Sequence, residues 1–348
     1  MNELDSHLVG SNATILDTLG KMNKIAGGMP LVLFVVSPDG RVLGSVTDGD
    51  IRRNLVAGAT LDSRIDGVMN KKFHYLLDKR DYKKIGEFKA LNLRLIPHVS
   101  PDGKLLGILN LNAKRTCLPV DAVIMAGGRG IRLQPYTNDI PKPMLPLRDK
   151  PIIAHNIERL ASYGVENFHI SVNHLKGQII DYLTDRYADL NIDFIEEDAP
   201  LGTIGSVRLA KEFRNDDILV INADILTNID FEDFFAKYKE SFADMSVAAF
   251  TMKVDIPYAV LETSGNMIRG FTEKPTYNYY SNAGIYLFGR KLVDSIPPDA
   301  PYNATDMIEK LVENGGKVSY FPIVGYWLDI GTAQNYSKAK NDINYIKF

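Results

Sequence analysis

The chain has 348 residues, 45% hydrophobic and 24% charged, with 40 basic against 43 acidic side chains and a net charge of −3. At about 150 residues per domain the length points to two or three domains, and the composition excludes a disordered chain, a collagen-like repeat and a disulfide-stapled miniprotein. The even charge balance gives no support for binding nucleic acid or an anionic membrane through bulk charge. Cys117 is the only cysteine, so there is no intrachain disulfide and no cysteine-based zinc site, and the six histidines lack HExxH spacing. Apolar runs such as Leu31 to Val36 fall short of the roughly 20 residues of a membrane span. The start, MNELDSHLVG, lacks the basic and apolar segments of a signal peptide. A soluble cytoplasmic protein is expected.

The first predicted element is a helix carrying Ile15, Leu19 and Met22, followed by a strand over Leu31 to Val36. Next comes Ser37-Pro38-Asp39-Gly40-Arg41-Val42-Leu43-Gly44, which recurs as Ser100-Pro101-Asp102-Gly103-Lys104-Leu105-Leu106-Gly107 after a second strand within Leu93 to Val99. Pro-Asp-Gly between apolar runs is hairpin chemistry. A helix with Ile51 and Leu55 follows the first copy. Two such units within residues 1–118 predict a pseudo-twofold α+β module.

Residues 119–348 read differently. A buried strand is predicted over Val120 to Ala126, then the loop Gly127-Gly128-Arg129-Gly130-Ile131-Arg132-Leu133 and the segment Pro141-Lys142-Pro143-Met144. Helices are expected at Pro151 to Tyr163, Gly177 to Tyr187 and Ile204 to Phe213, with strands at Asn167 to Val172 and Asp217 to Ile221. This alternation predicts a mainly parallel α/β sheet, with ligands at the carboxyl ends of the strands. The glycine loop and Asn222-Ala223-Asp224 fall there. Leu133 stands where a dinucleotide fingerprint needs glycine, and the Gly-Lys-Ser/Thr of a Walker loop is absent from this region. Glycines still let backbone amides approach a phosphate, and Arg132 and Lys142 add positive charge. Taken singly, Lys142 also reads as an exposed lysine between prolines, Asp224 as a turn cap and Asp329 as the cap of a helix starting near Thr332.

The set of motifs is more specific than any member. GGxGxRL and PKPM are followed in order by Pro200-Leu201-Gly202-Thr203, Asn222-Ala223-Asp224, Glu273-Lys274-Pro275 with Asn282-Ala283-Gly284, and Trp327-Leu328-Asp329-Ile330-Gly331-Thr332. Over roughly residues 119–343 this resembles the sugar-1-phosphate nucleotidyltransferases. The resemblance implies a Rossmann-like, GT-A-like domain with a mixed, mainly parallel sheet. The implied reaction joins an NTP and a sugar 1-phosphate into an NDP-sugar and pyrophosphate. It also implies nucleotide contacts from Ala126, Gly127, Gly128, Gly130, Glu197 and Gly202, and phosphate binding by Arg132 and Lys142. Lys274 is implied on the sugar's phosphate, Glu273 and Asn282 on the sugar, and Asp224 and Asp329 as ligands of Mg²⁺. A phosphate monoester is largely dianionic at pH 7, so positioning and charge neutralisation carry the reaction and no general base is expected.

The N-terminal sequence Gly44-Ser45-Val46-Thr47-Asp48-Gly49-Asp50-Ile51-Arg52-Arg53 resembles the CBS domain family. That implies a regulatory pair around a cleft for an adenine nucleotide, held by Thr47 and Asp48, and often a homo-oligomer. Helix capping by Thr47 and Asp48 is the structural alternative. In the second copy Asn110, Leu111 and Asn112 replace Thr47, Asp48 and Gly49.

For the base, Gly205 stands where thymidylyltransferases of the family carry glutamine. The run from Glu197 to Thr203 looks more like guanylyltransferases, with Glu197 able to accept the N1 and N2 hydrogens of guanine. A CBS pair ahead of such a domain resembles bacterial enzymes making GDP-glucosamine for nonulosonic acids, implying glucosamine 1-phosphate as acceptor. A uridylyltransferase or mannose-1-phosphate guanylyltransferase is the alternative within the fold. An inactive nucleotide-sensing subunit is the alternative outside catalysis. The tyrosine-rich Thr276 to Ser281 suits either a sugar-side wall or core and interface packing.

Overall fold

The computed structural model describes residues 6–25, 30–112, 114–298 and 300–346. Met1 to Asp5 of the amino-terminal stretch lie outside the described residues. The chain divides into two compact units, Met1–Cys117 and Leu118–Phe348.

In the first unit, β1 (Leu8–Gly10) precedes α1 (Ile15–Met22), β2 (Val32–Val36), β3 (Val42–Thr47), α2 (Asp48–Val56), α3 (Tyr82–Ala90), β4 (Leu95–Val99) and β5 (Leu105–Asn110). β1 is parallel to β2, and β2 pairs antiparallel with β3. The second copy reproduces this in reduced form. β4 pairs antiparallel with β5, and a single parallel bridge from Leu76 to His98 takes the place of β1. Among the described residues no helix follows β5 as α2 follows β3.

The repeated turns face each other. Val42 N–H donates to Gly103 O at 3.0 Å, and Leu105 N–H donates to Gly40 O at 3.1 Å. Such reciprocal bonds are what a pseudo-twofold axis requires. Each copy has its own core, one around Ile15, Leu33, Val46 and Ile51, the other around Leu76, Ile85, Phe88 and Ile96.

In the second unit the order is β6 (Val120–Met125), the hairpin β7 (Pro146–Leu147) and β8 (Lys150–Pro151), α4 (Ile152–Ser162), β9 (Asn167–Val172), α5 (Lys176–Arg186), β10 (Asn191–Glu196), β11 (Asp217–Asn222), β12 (Ile225–Thr227), α6 (Phe231–Ser241), β13 (Met245–Asp255), β14 (Val260–Ser264), β15 (Met267–Thr272), β16 (Thr276–Gly289), α7 (Ala304–Glu313), β17 (Val318–Ile323), β18 (Trp327–Asp329) and α8 (Ala333–Asp342). The main sheet has seven strands in the order β10-β9-β6-β11-β16-β13-β17. β16 is antiparallel to both neighbours and the other pairings are parallel. The sheet is therefore mixed and mainly parallel. β6 and β11 are its central strands, and their aliphatic runs are buried because strands covered on both faces tolerate little polarity. Asp121 is the exception within β6. It is fully buried and accepts from the Asn215 and Asn167 side chains at 2.7 and 2.9 Å.

The helix expected over Ile204 to Phe213 is a five-residue 3₁₀ turn, Gly205–Leu209. Ile204 and Val207 enter the core three residues apart, which matches the 3₁₀ repeat, and Leu209 turns outward. In the first unit α2 starts at Asp48, ahead of the position expected from Ile51.

Candidate active site

At the carboxyl end of β6 the chain enters the glycine loop. Met125, Ala126, Gly128, Gly130, Arg132, Lys142, Ala223 and Asp224 are among the residues lining a cavity of about 420 Å³ there. Gly130 has φ 63°, and an added Cβ would lie 3.0 Å from Lys142 Cβ and 3.1 Å from Thr137 Cγ2. Glycine is required there by both backbone and space. Thr137 Oγ1 donates to Gly130 O at 2.9 Å and fixes the loop from behind.

Lys142 is not the exposed lysine of the alternative reading. It begins a 3₁₀ turn after Pro141, and its side chain is only 11% exposed. Its ammonium is bonded to Asp224 and lies 3.9 Å from Asp329 Oδ1. The two acids arrive from separate places, Asp224 just beyond β11 and Asp329 at the end of β18. They are brought together by the β12–β18 pairing, in which Ile225 faces Asp329, and by the Ile330 N–H bond to Asp224 O at 3.0 Å. Asp329 does not cap α8. Thr332 does, accepting from Asn335 N–H at 3.2 Å. Burial, and next the charge of Asp224, raise the Asp329 carboxyl above the usual carboxylate range; Lys142 and Arg132 pull it back.

Asn156 and Asn335, which the motifs did not single out, hold this geometry together with the motif residue Trp327. Asn156, on the buried face of α4, donates to Ala223 O at 3.1 Å beside Asp224. Asn335 donates to Asp329 O at 2.7 Å, and Trp327 Nε1 to Ala283 O at 2.9 Å while its ring stacks on Phe250. The one signal in sequence was a polar residue inside an otherwise apolar helical stripe, at Asn156.

Other expected site residues lie elsewhere. Glu197 is buried behind the loop, with an added Cβ at Gly127 only 3.1 Å from its Oε1. Its two oxygens accept from the Ser171 hydroxyl and from Leu201 N–H at 3.1 Å, so it braces the 197–203 loop from within the protein. Gly202 faces the backbone of Tyr302, whose oxygen would lie 2.7 Å from an added Cβ. Asn282 sits in the ladder opposite Ala249 and accepts from Gly284 N–H at 2.9 Å. Glu273 and Lys274 are exposed, between β15 and β16, and are not among the residues lining the cavity. Lys274 has φ 44° before Pro275, a rare backbone state at that position. Tyr277, Tyr279 and Tyr280 are exposed on the same arm, so they are not core.

The acid pair fits a hard cation. Asp224 Oδ1 and Asp329 Oδ1 are buried without a hydrogen-bond partner. Among the described residues no group of three or more His, Cys, Asp or Glu is gathered to hold a metal. Two carboxylates without nitrogen or sulfur donors suit an ion that completes its shell with water and phosphate oxygens, as Mg²⁺ does.

In the first unit Thr47 caps α2 and, with Asp50, forms a reciprocal capping box. Thr47, Asp50, Arg53, Asn70, Phe73, His74 and Arg94 line a cleft of about 370 Å³ between the two copies. Asp48 is not among the lining residues; it pairs with Arg52 along the helix. The acidic side chain of that cleft is Asp50, which donates nothing and holds Arg53 at 2.6 Å.

A mixed sheet with a glycine loop over a Lys-Asp-Asp cluster defines a phosphate-handling α/β domain. The chain belongs to the nucleotidyl transferase family, which matches residues 121–345, and residues 3–57 match the CBS domain family. It is 30% identical over 225 residues to the mannose-1-phosphate guanyltransferase of Schizosaccharomyces pombe, covering 62% of each chain. It is 35% identical over 236 residues to the bifunctional protein GlmU of Methanococcus maripaludis, covering 64% of this chain and 54% of that one. The chain thus spans less than two thirds of the length of these curated relatives. HddC from Yersinia pseudotuberculosis superposes with a TM-score of 0.52 at 29% identity, covering 64% of this chain and 99% of that one. A second HddC structure, complexed with GMP-PN, gives 0.51 at 27%, with the same coverage of both chains.

Proposed function

We propose that the chain transfers a nucleotidyl group from an NTP, GTP foremost, to a sugar 1-phosphate and releases pyrophosphate. The carrying observation is the convergence of Lys142, Asp224 and Asp329 beneath the glycine loop. The loop amides and Arg132 hold the β- and γ-phosphates, and the planar guanidinium suits their departure as pyrophosphate. Lys142 steadies the α-phosphate while a sugar-phosphate oxygen attacks phosphorus in line. Asp224 and Asp329 would hold Mg²⁺, which supplies charge neutralisation between the two polyanions. No side chain needs to remove a proton, because the attacking phosphate is already dianionic.

Lys274, Glu273 and Asn282 belong to the sugar side in this reading, which requires the exposed arm to meet the acceptor. Guanine is favoured by the names of the guanyltransferase relatives and by the GMP-PN complex of HddC. Glucosamine 1-phosphate is the first acceptor to test, mannose 1-phosphate the second. Pyrophosphate release measured across GTP, UTP, CTP and dTTP against several sugar 1-phosphates is the test. Fastest turnover with UTP rejects guanine.

The 370 Å³ cleft of the first unit supports a second role, binding of an adenine nucleotide as a regulator. Thr47 remains in that reading and Asp48 gives way to Asp50, Arg53 and Arg94. A homo-oligomer and a cytoplasmic location complete the proposal. Among the described residues no helix is long and apolar enough to cross a membrane.

A further inference from the structure

Lys142 fills the space that a cation between the acids would need. It is bonded to Asp224, lies 3.9 Å from Asp329, and is almost fully enclosed. Two neighbouring carboxylates in a partly dry site repel each other, and the ammonium offsets one of the two charges. A divalent cation arriving alone has to displace it and leave a buried ammonium without a carboxylate partner, which is strongly unfavourable. A cation arriving with a triphosphate meets no such barrier. Phosphate oxygens in the adjoining cavity give Lys142 a new anionic partner and the cation its remaining ligands.

We propose that Lys142 is a resident counter-ion that keeps the acid pair closed to free divalent cations and opens it to a cation–nucleotide complex. The inference rests on the reading of Asp224 and Asp329 as a cation site. By linkage, cation and nucleotide then strengthen each other's binding by the same factor.

Mn²⁺ is the probe, read by calorimetry and by its electron-spin resonance signal without turnover. In Lys142→Met, which keeps the stem and removes the charge, Mn²⁺ without nucleotide is expected to bind at least tenfold more tightly than in the wild type. Adding Asp224→Asn should abolish that gain. Equal or weaker Mn²⁺ binding in Lys142→Met, with a site still present and lost on Asp224→Asn, overturns the counter-ion role and leaves the cation site standing. Absence of a Mn²⁺ site in both proteins overturns the cation reading and this inference with it. Amine acetylation of the wild-type chain, read by mass spectrometry, is independent of the variant's folding. At Mn²⁺ concentrations that saturate Lys142→Met, labelling of Lys142 in the wild type should stay unchanged without nucleotide; a several-fold rise would show the ammonium displaced by free cation and overturn the counter-ion role.

Discussion

Gly130 and Lys142 touch across the loop, so a methyl group at one bears on the other. In Gly130→Ala the new side chain is held at φ 63° and pressed against Lys142 and Thr137. A stability loss of about 1–3 kcal/mol is expected in a denaturant titration, with a larger proportional loss of pyrophosphate release because Lys142 is displaced. Asp224→Asn keeps the shape of the side chain and removes its charge, and with it the ion pair to Lys142. Its circular dichroism spectrum should match the wild type while turnover falls at least about 10²–10³-fold. Near-normal pyrophosphate release from that variant would count against cation binding by Asp224. Lys142, Asp224 and Asp329 were legible only through the ordered set of motifs and the family it resembles, since each taken singly also reads as an exposed lysine or a cap. Their distances were not, since the contact depends on β12 pairing with β18 across about a hundred residues. In the sequence the carboxylate of Glu197 is visible and suits a base contact, while its partners are not visible. Ser171 is brought to it by the pairing of β9 with β10, and the Leu201 amide by the turn of the loop four residues on.

His169 shows the same contrast at the level of the strand. It points into the core from β9, packs on Phe213 at 4.8 Å, and both ring nitrogens lack a hydrogen-bond partner. Burial holds its pKa below 6.5, more than the charges of Asp121 and Asp193 restore, and His155 is lowered by burial as well. A depressed pKa means the unfolded chain binds the extra proton first. Stability is therefore full above about pH 6.5 and falls as pH drops below it, by at most about 1.4 kcal/mol per pH unit for each histidine. Urea titrations between pH 7.5 and 5.5 should show this slope, and His169→Leu should flatten it by one proton. An unchanged slope would contradict the buried neutral imidazole. The central strands were readable as aliphatic runs because both faces of the sheet are covered. The segment after Ile204 was not, since apolar residues three apart fit one turn of either helix type. Thr276 to Ser281 was ambiguous because alternating tyrosines suit a buried strand as well as the exposed ribbon that forms against Phe250 to Asp255.

At the scale of the whole molecule, the internal repeat was legible because turn chemistry is local, whereas the reduced form of its second copy was visible only as Asn110 and Asn112 replacing Thr47 and Gly49. The cleft between the copies predicts a ligand that needs both. Calorimetric titration of the full chain with AMP, ADP and ATP is expected to show one adenine nucleotide site, weakened about tenfold or more in Arg94→Ala through loss of a charged hydrogen bond. No heat from any of the three would remove the regulatory reading and leave catalysis untouched. The catalytic claim itself is met most directly by pyrophosphate release from the full chain with Mg²⁺, four NTPs and a panel of sugar 1-phosphates. Release that requires both substrates and is fastest with GTP is the expected result. No release above background with any pair would contradict it.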